Sequence, residues 1–509
     1  MLEIMIFGAS AYLVAGTLSL VFPKFKFWLS LGAWFFALYG LGRAGQLFRQ
    51  SGPQVRFLGP WEELGIGVTV DAPALIFASL VVILHFFTLL YLGNSRGGKF
   101  YCLYNLLLGA TFSLAFSNDL FNLYVTLELM SLVSILLIGW ERKTYQMYAG
   151  VKYLLFSAFA MSLYLVGLGM LYQSAGYLGI DKLARVVGDN PGLGVSVALG
   201  LMTTGLAAKG GVLLFSMWLP DAYAYSSTVV STLLSGISVK CGLLGIIRLS
   251  RIAAWSPMLI ALGLVTGLGG VIYAILEDRP KKILAYSTLS QVGYVLLGLG
   301  TGTFMGITAA SLYLLFHGLF KSLLFLSVGH AGVGGTPLWP YDEGKLPLAS
   351  WAGLAMGSMA LAALPPFSGF LAKGLLMKAT PQIWVSVSIL TIGVGTALYL
   401  IKLNWALLRG GFQNSYRGRN LVLLAYACIV GLSAFFPILF VEKKTLLNLF
   451  SLNHLLESLG VLLLASFFYW GLKDLLRRIT VPAYLFDLDN SLLFLTTGSI
   501  LILFFVIMF

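Results

Sequence analysis

The sequence has few charged residues, and this scarcity excludes a large soluble protein. Only 10% of the 509 residues are charged, whereas 59% are hydrophobic. An ordinary soluble domain carries about 25% charged residues. A helix needs about 20 apolar residues to cross the hydrocarbon of a membrane, and many stretches of this chain reach that length. The composition therefore predicts an all-α polytopic membrane protein without a soluble domain.

Cysteine and histidine are also scarce, with three and four residues respectively. The cysteines, Cys102, Cys241 and Cys428, stand far apart, in neither a metal-ligand spacing nor a disulfide framework. The sequence also has no paired haem histidines and no glycine-rich nucleotide loop. We therefore expect no cofactor and no metal in this chain, and no redox chemistry or nucleotide hydrolysis of its own.

Long apolar stretches fill most of the chain. About 14 of them lie between Leu2 and Phe440, and about two more lie near Leu455–Leu472 and Leu492–Phe509. No small-residue cleavage site follows the first stretch, so we expect it to be retained rather than removed as a signal peptide. The expected fold thus has about 14 core transmembrane helices and about two C-terminal ones.

Acidic residues are fewer than basic ones, which gives a net charge of +13. Many of the cations lie in short alternate loops, such as Arg142 with Lys143 and Arg279 with Lys281, so the excess does not indicate nucleic-acid binding. The positive-inside rule places these loops in the cytoplasm and both chain ends outside. The opposite loops are basic too, so the bias is modest. The expected location is the cell (inner) membrane.

Five apolar stretches nevertheless carry an ionisable residue near their middle or at a helix break. A charge at the centre of a bilayer costs about 2.5–3.5 kcal/mol on insertion scales, so such residues face the protein interior, pair with each other or carry ions. A series of five separated stretches predicts a charge pathway through the membrane. Its members are Glu128, Lys209, Lys240, His317 with Lys321, and Lys373.

Two of these stretches are interrupted by glycine or proline. One contains Lys209-Gly-Gly and then Trp218-Leu-Pro-Asp; the other contains Leu364-Pro-Pro-Phe-Ser-Gly before Lys373. Interruptions at corresponding places in two halves indicate a transport site, and the carbonyls freed there favour a cation. The alternative at either place is a simple kink, with a lysine that reaches toward the headgroups.

Several motifs, in order along the chain, resemble the antiporter-like subunit family of Mrp-type cation/proton antiporters, membrane-bound hydrogenases and the proton-pumping arm of respiratory complex I. Glu128 stands in a stretch similar to the glutamate helix of this family, and His317 in one similar to its histidine helix. The stretch from Asp278 to Tyr294 resembles the most characteristic family sequence. The remaining motifs are the two interrupted stretches around Lys209 and Lys373.

The resemblance implies two inverted repeats of five helices, each with one broken helix. The expected division is 1–99 for N-terminal transmembrane helices, 100–250 for the first repeat, 251–409 for the second and 410–509 for C-terminal transmembrane helices.

The resemblance also implies a role for each buried group. Glu128 would begin the pathway, Lys209 would be the first broken-helix lysine and Lys240 the bridging lysine. His317 and Lys321 would form the central link, and Lys373 would end the row, where related members have glutamate. Tyr313 stands where some relatives have a second histidine. Lys152 either neighbours Glu128 or anchors its helix in the headgroups.

The residue types suggest a mechanism. Glu128 and Lys209 would pair when their helices meet, and separating them would leave a buried lysine that releases its proton more readily. An imidazole at His317 can take and give protons near neutral pH. Two other polar residues fall outside this row: we expect His85 to form a helix–helix hydrogen bond and Lys402 to be interfacial.

Three functions are compatible with these features. The first is a proton- or cation-translocating subunit of a redox-driven oxidoreductase complex, with iron–sulfur or nickel–iron centres in partner subunits. The second is a subunit of a multi-subunit Mrp-type Na⁺/H⁺ antiporter. The third is a structural membrane scaffold whose buried charges hold helices together. Expected partners are other membrane subunits, protons, possible Na⁺ ions and lipids, with no nucleic acid.

Overall fold

In a computed structural model, the described residues are 2–58, 66–187, 192–252, 256–334, 345–380, 382–409, 411–413, 418–441, 443–476 and 487–508. Most of them are helical, as the composition predicts. Ten helices in this part of the chain are long and apolar enough to cross a membrane, and four shorter apolar helices accompany them. The protein is therefore a multi-pass membrane protein.

The chain forms two compact units, which are not contiguous in sequence. The first comprises residues 1–218, 237–258 and the chain from Leu492 onward; the second comprises 219–236 and 259–491.

The first unit contains most of the N-terminal helices and a small hairpin. Strands β1 (Gln54–Leu58) and β2 (Ile66–Val70) pair antiparallel, with Gln54 opposite Val70. The helices are α1 (Leu2–Val21), α2 (Lys26–Ser51), α3 (Ala72–Leu92), α4 (Gly98–Ala115), α5 (Leu120–Ile138), α6 (Thr144–Ala175), α7 (Ile180–Val187), α8 (Leu193–Lys209), a 3₁₀ turn (Leu213–Phe215), α11 (Val239–Leu249), and α21 (Leu488–Met508) from Leu492 on.

The second unit contains the remaining elements. They are α9 (Leu219–Tyr225), α10 (Thr228–Leu233), α12 (Ser256–Leu276, from Leu259 on), α13 (Pro280–Gly300), α14 (Phe304–Ala331), β3 (Leu346–Pro347), α15 (Leu348–Leu361), α16 (Ser368–Ala379), α17 (Ile383–Leu408), β4 (Phe412–Gln413), α18 (Gly418–Leu432), a 3₁₀ turn (Ser433–Leu439), α19 (Lys443–Leu449) and α20 (Leu452–Leu476). The two short strands β3 and β4 pair in parallel.

Local sequence signals explain several helix ends. Asp71 precedes α3 and accepts a hydrogen bond from the Ala74 amide at 2.9 Å. Asp119 does the same for α5 through the Asn122 amide, at 2.8 Å. These side chains satisfy amides that have no partner within the helix. The long helix α6 ends at Gly176, which has a left-handed conformation that glycine adopts without steric cost.

Both predicted helix breaks are present. Helix α8 ends at Lys209, and Gly211 follows with φ +76°. In the second unit, α15 ends at Leu361 and α16 begins at Ser368, with Pro365 and Pro366 between them. Proline has no amide hydrogen to continue a helical ladder. A third irregularity, a π-helical turn over Leu234–Ser238, lies between α10 and Lys240 at the start of α11.

Candidate functional site: buried lysines beside the helix breaks

Lys209 lies at the last residue of α8 and is 2% exposed. Its ammonium donates hydrogen bonds to the hydroxyls of Ser131 on α5 and Ser157 on α6. The ring of Tyr153 faces the same nitrogen, at 5.5 Å from its centroid. Three helices thus converge on one buried cation and supply it with neutral partners.

Glu128 lies on α5, three residues before Ser131. Its carboxylate interacts electrostatically with Lys209, although the hydrogen bonds of Lys209 go to the two serines. One carboxylate oxygen, Oε1, is buried without a hydrogen-bond partner among the described residues. An unsatisfied buried oxygen is costly, so this carboxylate is suited to accept a proton or a new donor.

The loop after α8 is held by its own side chains. The indole of Trp218 donates a hydrogen bond to the Ala208 carbonyl at 3.2 Å and packs against Tyr153, with ring centroids 4.2 Å apart. The carbonyl is one that a helix end leaves without an intrahelical partner. These contacts order the backbone at the break and so fix the position of Lys209.

Lys240 is completely buried on α11. Helix α11 approaches the first break very closely at Gly242: an added Cβ there would lie 2.3 Å from the Gly210 amide nitrogen and 2.6 Å from the Lys209 carbonyl carbon. Lys240 is two residues before this contact. The first unit thus places Glu128, Lys209 and Lys240 on helices that meet around the break.

Lys152 is buried on α6, at 1% exposure, with its nitrogen 6.0 Å from the centroid of the Tyr148 ring. Whether Lys152 neighbours Glu128 or anchors its helix in the headgroups stays a prediction.

Helix α14 carries the central residues of the predicted row on one face. Tyr313, His317 and Lys321 are spaced four residues apart, so they lie one above the other, and all three are buried. Lys321 donates hydrogen bonds to the Leu284 carbonyl and the Ser287 hydroxyl of α13. The rings of Tyr313 and His317 stack, with centroids 6.3 Å apart.

The second unit also contains a polar cluster around Gln291, which the sequence does not predict. The Tyr313 hydroxyl donates a hydrogen bond to the side-chain oxygen of Gln291. The side-chain nitrogen of Gln291 lies 3.2 Å from Thr396 Oγ1 and 3.2 Å from the Tyr399 hydroxyl. Gln291 lies within the stretch that resembles the family, but a single amide in an apolar helix does not indicate its partners.

Lys373 lies on α16 and reaches back across the second break. Its ammonium donates a hydrogen bond to the carbonyl of Leu361, the last residue of α15, at 3.3 Å. The nitrogen also lies 4.8 Å above the ring of Tyr294, a favourable position for a cation. Tyr294 packs against Tyr313, with centroids 5.3 Å apart. Aromatic side chains therefore lie between His317 and Lys373.

Two buried ion pairs lie outside the predicted row. Arg248 on α11 binds Asp71 through both guanidinium nitrogens. Lys402 on α17 binds Asp278 at 2.8 Å and the carbonyls of Ile275 and Glu277. Lys402 is 1% exposed, and its contacts close the end of α12; its interfacial depth stays a prediction. His85 forms the expected interhelical hydrogen bond, with Tyr12 at 3.0 Å.

Two cations at the start of α13 form structural contacts. Lys281 lies in the first turn of α13 and donates to the Ser226 carbonyl at 2.8 Å and the Ser231 hydroxyl at 3.2 Å. Its neighbour Lys282 forms an ion pair with Asp221 at 3.2 Å. These contacts fasten α13 to the segment after the first break.

Each unit thus combines a broken apolar helix with a buried lysine that contacts backbone or hydroxyl oxygens beside the break. Charged groups buried in membrane-spanning helices are typical of ion and proton pathways, and helix breaks at such groups are typical of transporters. Fold and site together define a class, the multi-pass membrane protein with buried ionisable residues beside its helix breaks.

Comparison with known proteins identifies the family. Residues 117–399, more than half of the chain, match the family described as "NADH:quinone oxidoreductase/Mrp antiporter, TM". The chain belongs to this family. An Na⁺/H⁺ antiporter subunit of Alkalihalophilus pseudofirmus is 31% identical over 373 residues, which cover 70% of this chain and 76% of that protein.

Other relatives match a shorter segment. A Staphylococcus aureus protein named as antiporter subunit mnhD2 is 33% identical over 278 residues, 52% of this chain and 55% of that protein. The match thus spans about half the length of the staphylococcal relatives.

Two solved structures share the fold at 22% identity. The membrane-bound sulfane sulfur reductase, an archaeal respiratory membrane complex, has a chain with a TM-score of 0.80, and the match covers 91% of this chain and 100% of that one. For the Mrp complex from Dietzia sp. DQ12-45-1b the TM-score is 0.74, with 90% and 99% covered.

Proposed function

We propose that this chain is a cation- or proton-translocating subunit of a multi-subunit membrane complex. The observation that carries the proposal is the environment of Lys209. A buried ammonium at a helix break is held by two hydroxyls and lies within electrostatic reach of Glu128. Neutral partners leave the lysine free to lose its proton, whereas a tight ion pair would hold it charged.

In this proposal the buried ionisable residues transmit charge as neighbouring groups alternately pair and separate. Charge moves in the first unit through Glu128, Lys209 and Lys240, and in the second through His317, Lys321 and Lys373. Two accessory residues are Lys152 and Tyr313. In this proposal the 14 core helices form two inverted five-helix repeats, over residues 100–250 and 251–409. Residues 1–99 and 410–509 supply flanking transmembrane helices. The chain lies in the cell (inner) membrane with both of its ends on the outer side. Its ligands are protons, Na⁺ and lipids.

Two kinds of complex fit this subunit. The fold shared with a chain of an archaeal respiratory complex supports a redox-driven assembly, with iron–sulfur or nickel–iron centres in partner subunits. The sequence similarity to a subunit of an Na⁺/H⁺ antiporter supports an Mrp-type assembly instead. Proteins that co-purify with the native complex distinguish them: metal-cluster subunits select the first, and small membrane subunits alone select the second.

The translocation function is tested with Glu128→Gln and Lys209→Ala in the native complex. Both variants remove a carrier without removing a large packing surface, so we expect assembly to persist while transport of protons and Na⁺ into vesicles stops. Asp474→Asn, an exposed carboxylate on α20, is the matched control. Normal transport by either test variant would make the buried charges structural, as in a membrane scaffold.

A further inference from the structure

A cavity lies beside Lys373 in the second unit. It encloses about 50 Å³ between α16, α17, α19 and α20. A water molecule needs roughly 10–15 Å³ of such space and two or more polar partners, so the cavity has room for a few waters. Its wall includes Lys373 and three polar side chains of α20: His454, Glu457 and Ser458.

Lys373 is buried on one side of this cavity, at 8% exposure. Its contacts are a carbonyl and the face of a tyrosine ring, and among the described residues it forms no ion pair with a carboxylate. Lys209, by comparison, has Glu128 within electrostatic reach. Within the described core helices, the last lysine of the predicted row therefore lacks a neighbouring carrier.

Helix α20 supplies such a carrier. His454 and Glu457 are one turn apart and bond to each other, Nδ1 to Oε2, at 3.0 Å. Their side chains are 25% and 44% exposed, so they lie where the cavity meets the surroundings. Glu457 is the sole carboxylate among the described residues of the wall. Helix α20 also lies beyond the segment that matches the family.

We propose that this cavity is the site where Lys373 exchanges protons with the aqueous phase, and that Glu457 is the carrier at its mouth. The inference rests on the proposed translocation function. A proton leaves the Lys373 ammonium, which becomes a neutral amine, and joins a carboxylate oxygen of Glu457 through water in the cavity. From there it passes to bulk water, and the reverse sequence protonates the lysine. His454 positions the carboxylate through the bond to Oε2.

The first test is Glu457→Gln in the native complex, because glutamine keeps the shape and loses the proton-accepting charge. We expect transport to fall by about tenfold or more, as on removal of a positioned proton carrier, and Glu457→Asp to restore part of it. Asp474→Asn changes the same charge on the same helix, roughly 25 Å further along at 1.5 Å per residue, and should transport normally.

Glu128→Gln is measured in parallel to separate this inference from the proposed function. Loss of transport in Glu128→Gln with normal transport in Glu457→Gln would overturn the cavity assignment alone. Normal transport in both variants would overturn the translocation function as well.

The second test is access of water to the cavity. Ser458→Cys, with the exposed Cys428 replaced by serine, should react with a charged, membrane-impermeant methanethiosulfonate, and the reaction should block transport. Leu464→Cys is the matched control on the same helix, because Leu464 is 52% exposed on an apolar face and should stay unlabelled. A folded Ser458→Cys protein that resists the reagent, or that transports normally after labelling, would refute the proposal.

Discussion

At the scale of single residues, Ser131 and Ser157 define the state of Lys209. A hydrogen bond to a charged group contributes about 1.5–3 kcal/mol, so two of them form a large part of what holds a buried ammonium in place. Both serines belong to helices that frame the first break. They therefore supply the buried cation with two neutral hydrogen-bond acceptors.

The double change Ser131→Ala and Ser157→Ala removes both acceptors of Lys209. We expect transport to fall by about tenfold or more, because the free energy of the two lost hydrogen bonds corresponds to at least a tenfold change in an equilibrium constant. Each single change should have a smaller effect, because one acceptor remains. Initial rates of proton uptake into vesicles measure this.

Ser162→Ala on α6 is the control for the serine variants, because its hydroxyl bonds the Ala158 carbonyl of its own helix on an exposed face. Transport at the normal rate in the double variant would show that the contacts of Lys209 to these hydroxyls are incidental.

Glu141, in the loop between α5 and α6, is a second informative residue. Hydrogen bonds from Arg96 at 2.8 Å and Lys143 at 3.1 Å lower the pKa of this carboxyl from its ordinary value of 4.5 to about 2. A lowered pKa in the folded state stabilises the fold above pH 4.5, and this contribution is lost as the pH falls through about 2.

Glu141→Gln should therefore lower the unfolding temperature at pH 7, and the difference from the wild type should shrink as the pH falls from 4.5 to 2. The effect should be small, because the side chain is partly exposed. Thermal unfolding of the purified protein in detergent, measured across this pH range, gives the result. A difference that is constant with pH would show that this ion pair does not contribute.

At the scale of structural elements, the close contact of α11 with the first break is a strict constraint in the first unit. Gly242→Ala would place a methyl group 2.3 Å from the Gly210 amide nitrogen, so the helices must separate or the break must move. We expect a lower unfolding temperature and a loss of transport. Gly169→Ala on α6, where nothing lies within 4 Å of the added Cβ, should be neutral or stabilising. Equal behaviour of the two variants would contradict this account.

The sequence predicted the elements of the site better than the contacts within it. Gly210, Gly211 and the two prolines reveal the breaks because their backbone chemistry is local. The roles of Ser131 and Ser157 could not be predicted, since serine in a helix commonly bonds its own backbone. The ion pair of Lys402 could not be predicted either, because its partner, Asp278, is distant in the chain. Such contacts depend on helix packing, which apolar composition alone does not specify.

At the scale of the whole molecule, α21 joins distant parts of the chain. From Leu492 on it belongs to the first unit. Added Cβ atoms at Gly498 and Gly200 would lie 2.7 Å from Phe215 and 3.2 Å from Val506, respectively, so α21 packs against α8 and the 3₁₀ turn after the first break. The domain boundaries expected from the sequence follow chain order and stay a prediction, since chain order does not determine which helices pack together.

Removal of α21, by a stop codon before Leu488, should loosen the first break. We expect faster proteolysis near Leu213–Phe215 and a lower unfolding temperature, because the apolar surface of α8 loses its cover. Limited proteolysis in detergent, read by mass spectrometry, tests this. Gly471→Leu on α20, where an added Cβ meets nothing within 4 Å, is the control for a change in a late helix. Unchanged cleavage in the truncated protein would mean that α21 is dispensable for the break.

The position of α21 also sets an order of events during synthesis. A ribosome delivers α8 and the segment after it to the membrane long before it translates Leu492 and the residues that follow. During that interval the surface near Phe215 faces lipid or a chaperone instead of its final neighbour. The wall of the first unit beside the Lys209 break is therefore complete only after α21 has been inserted and packed.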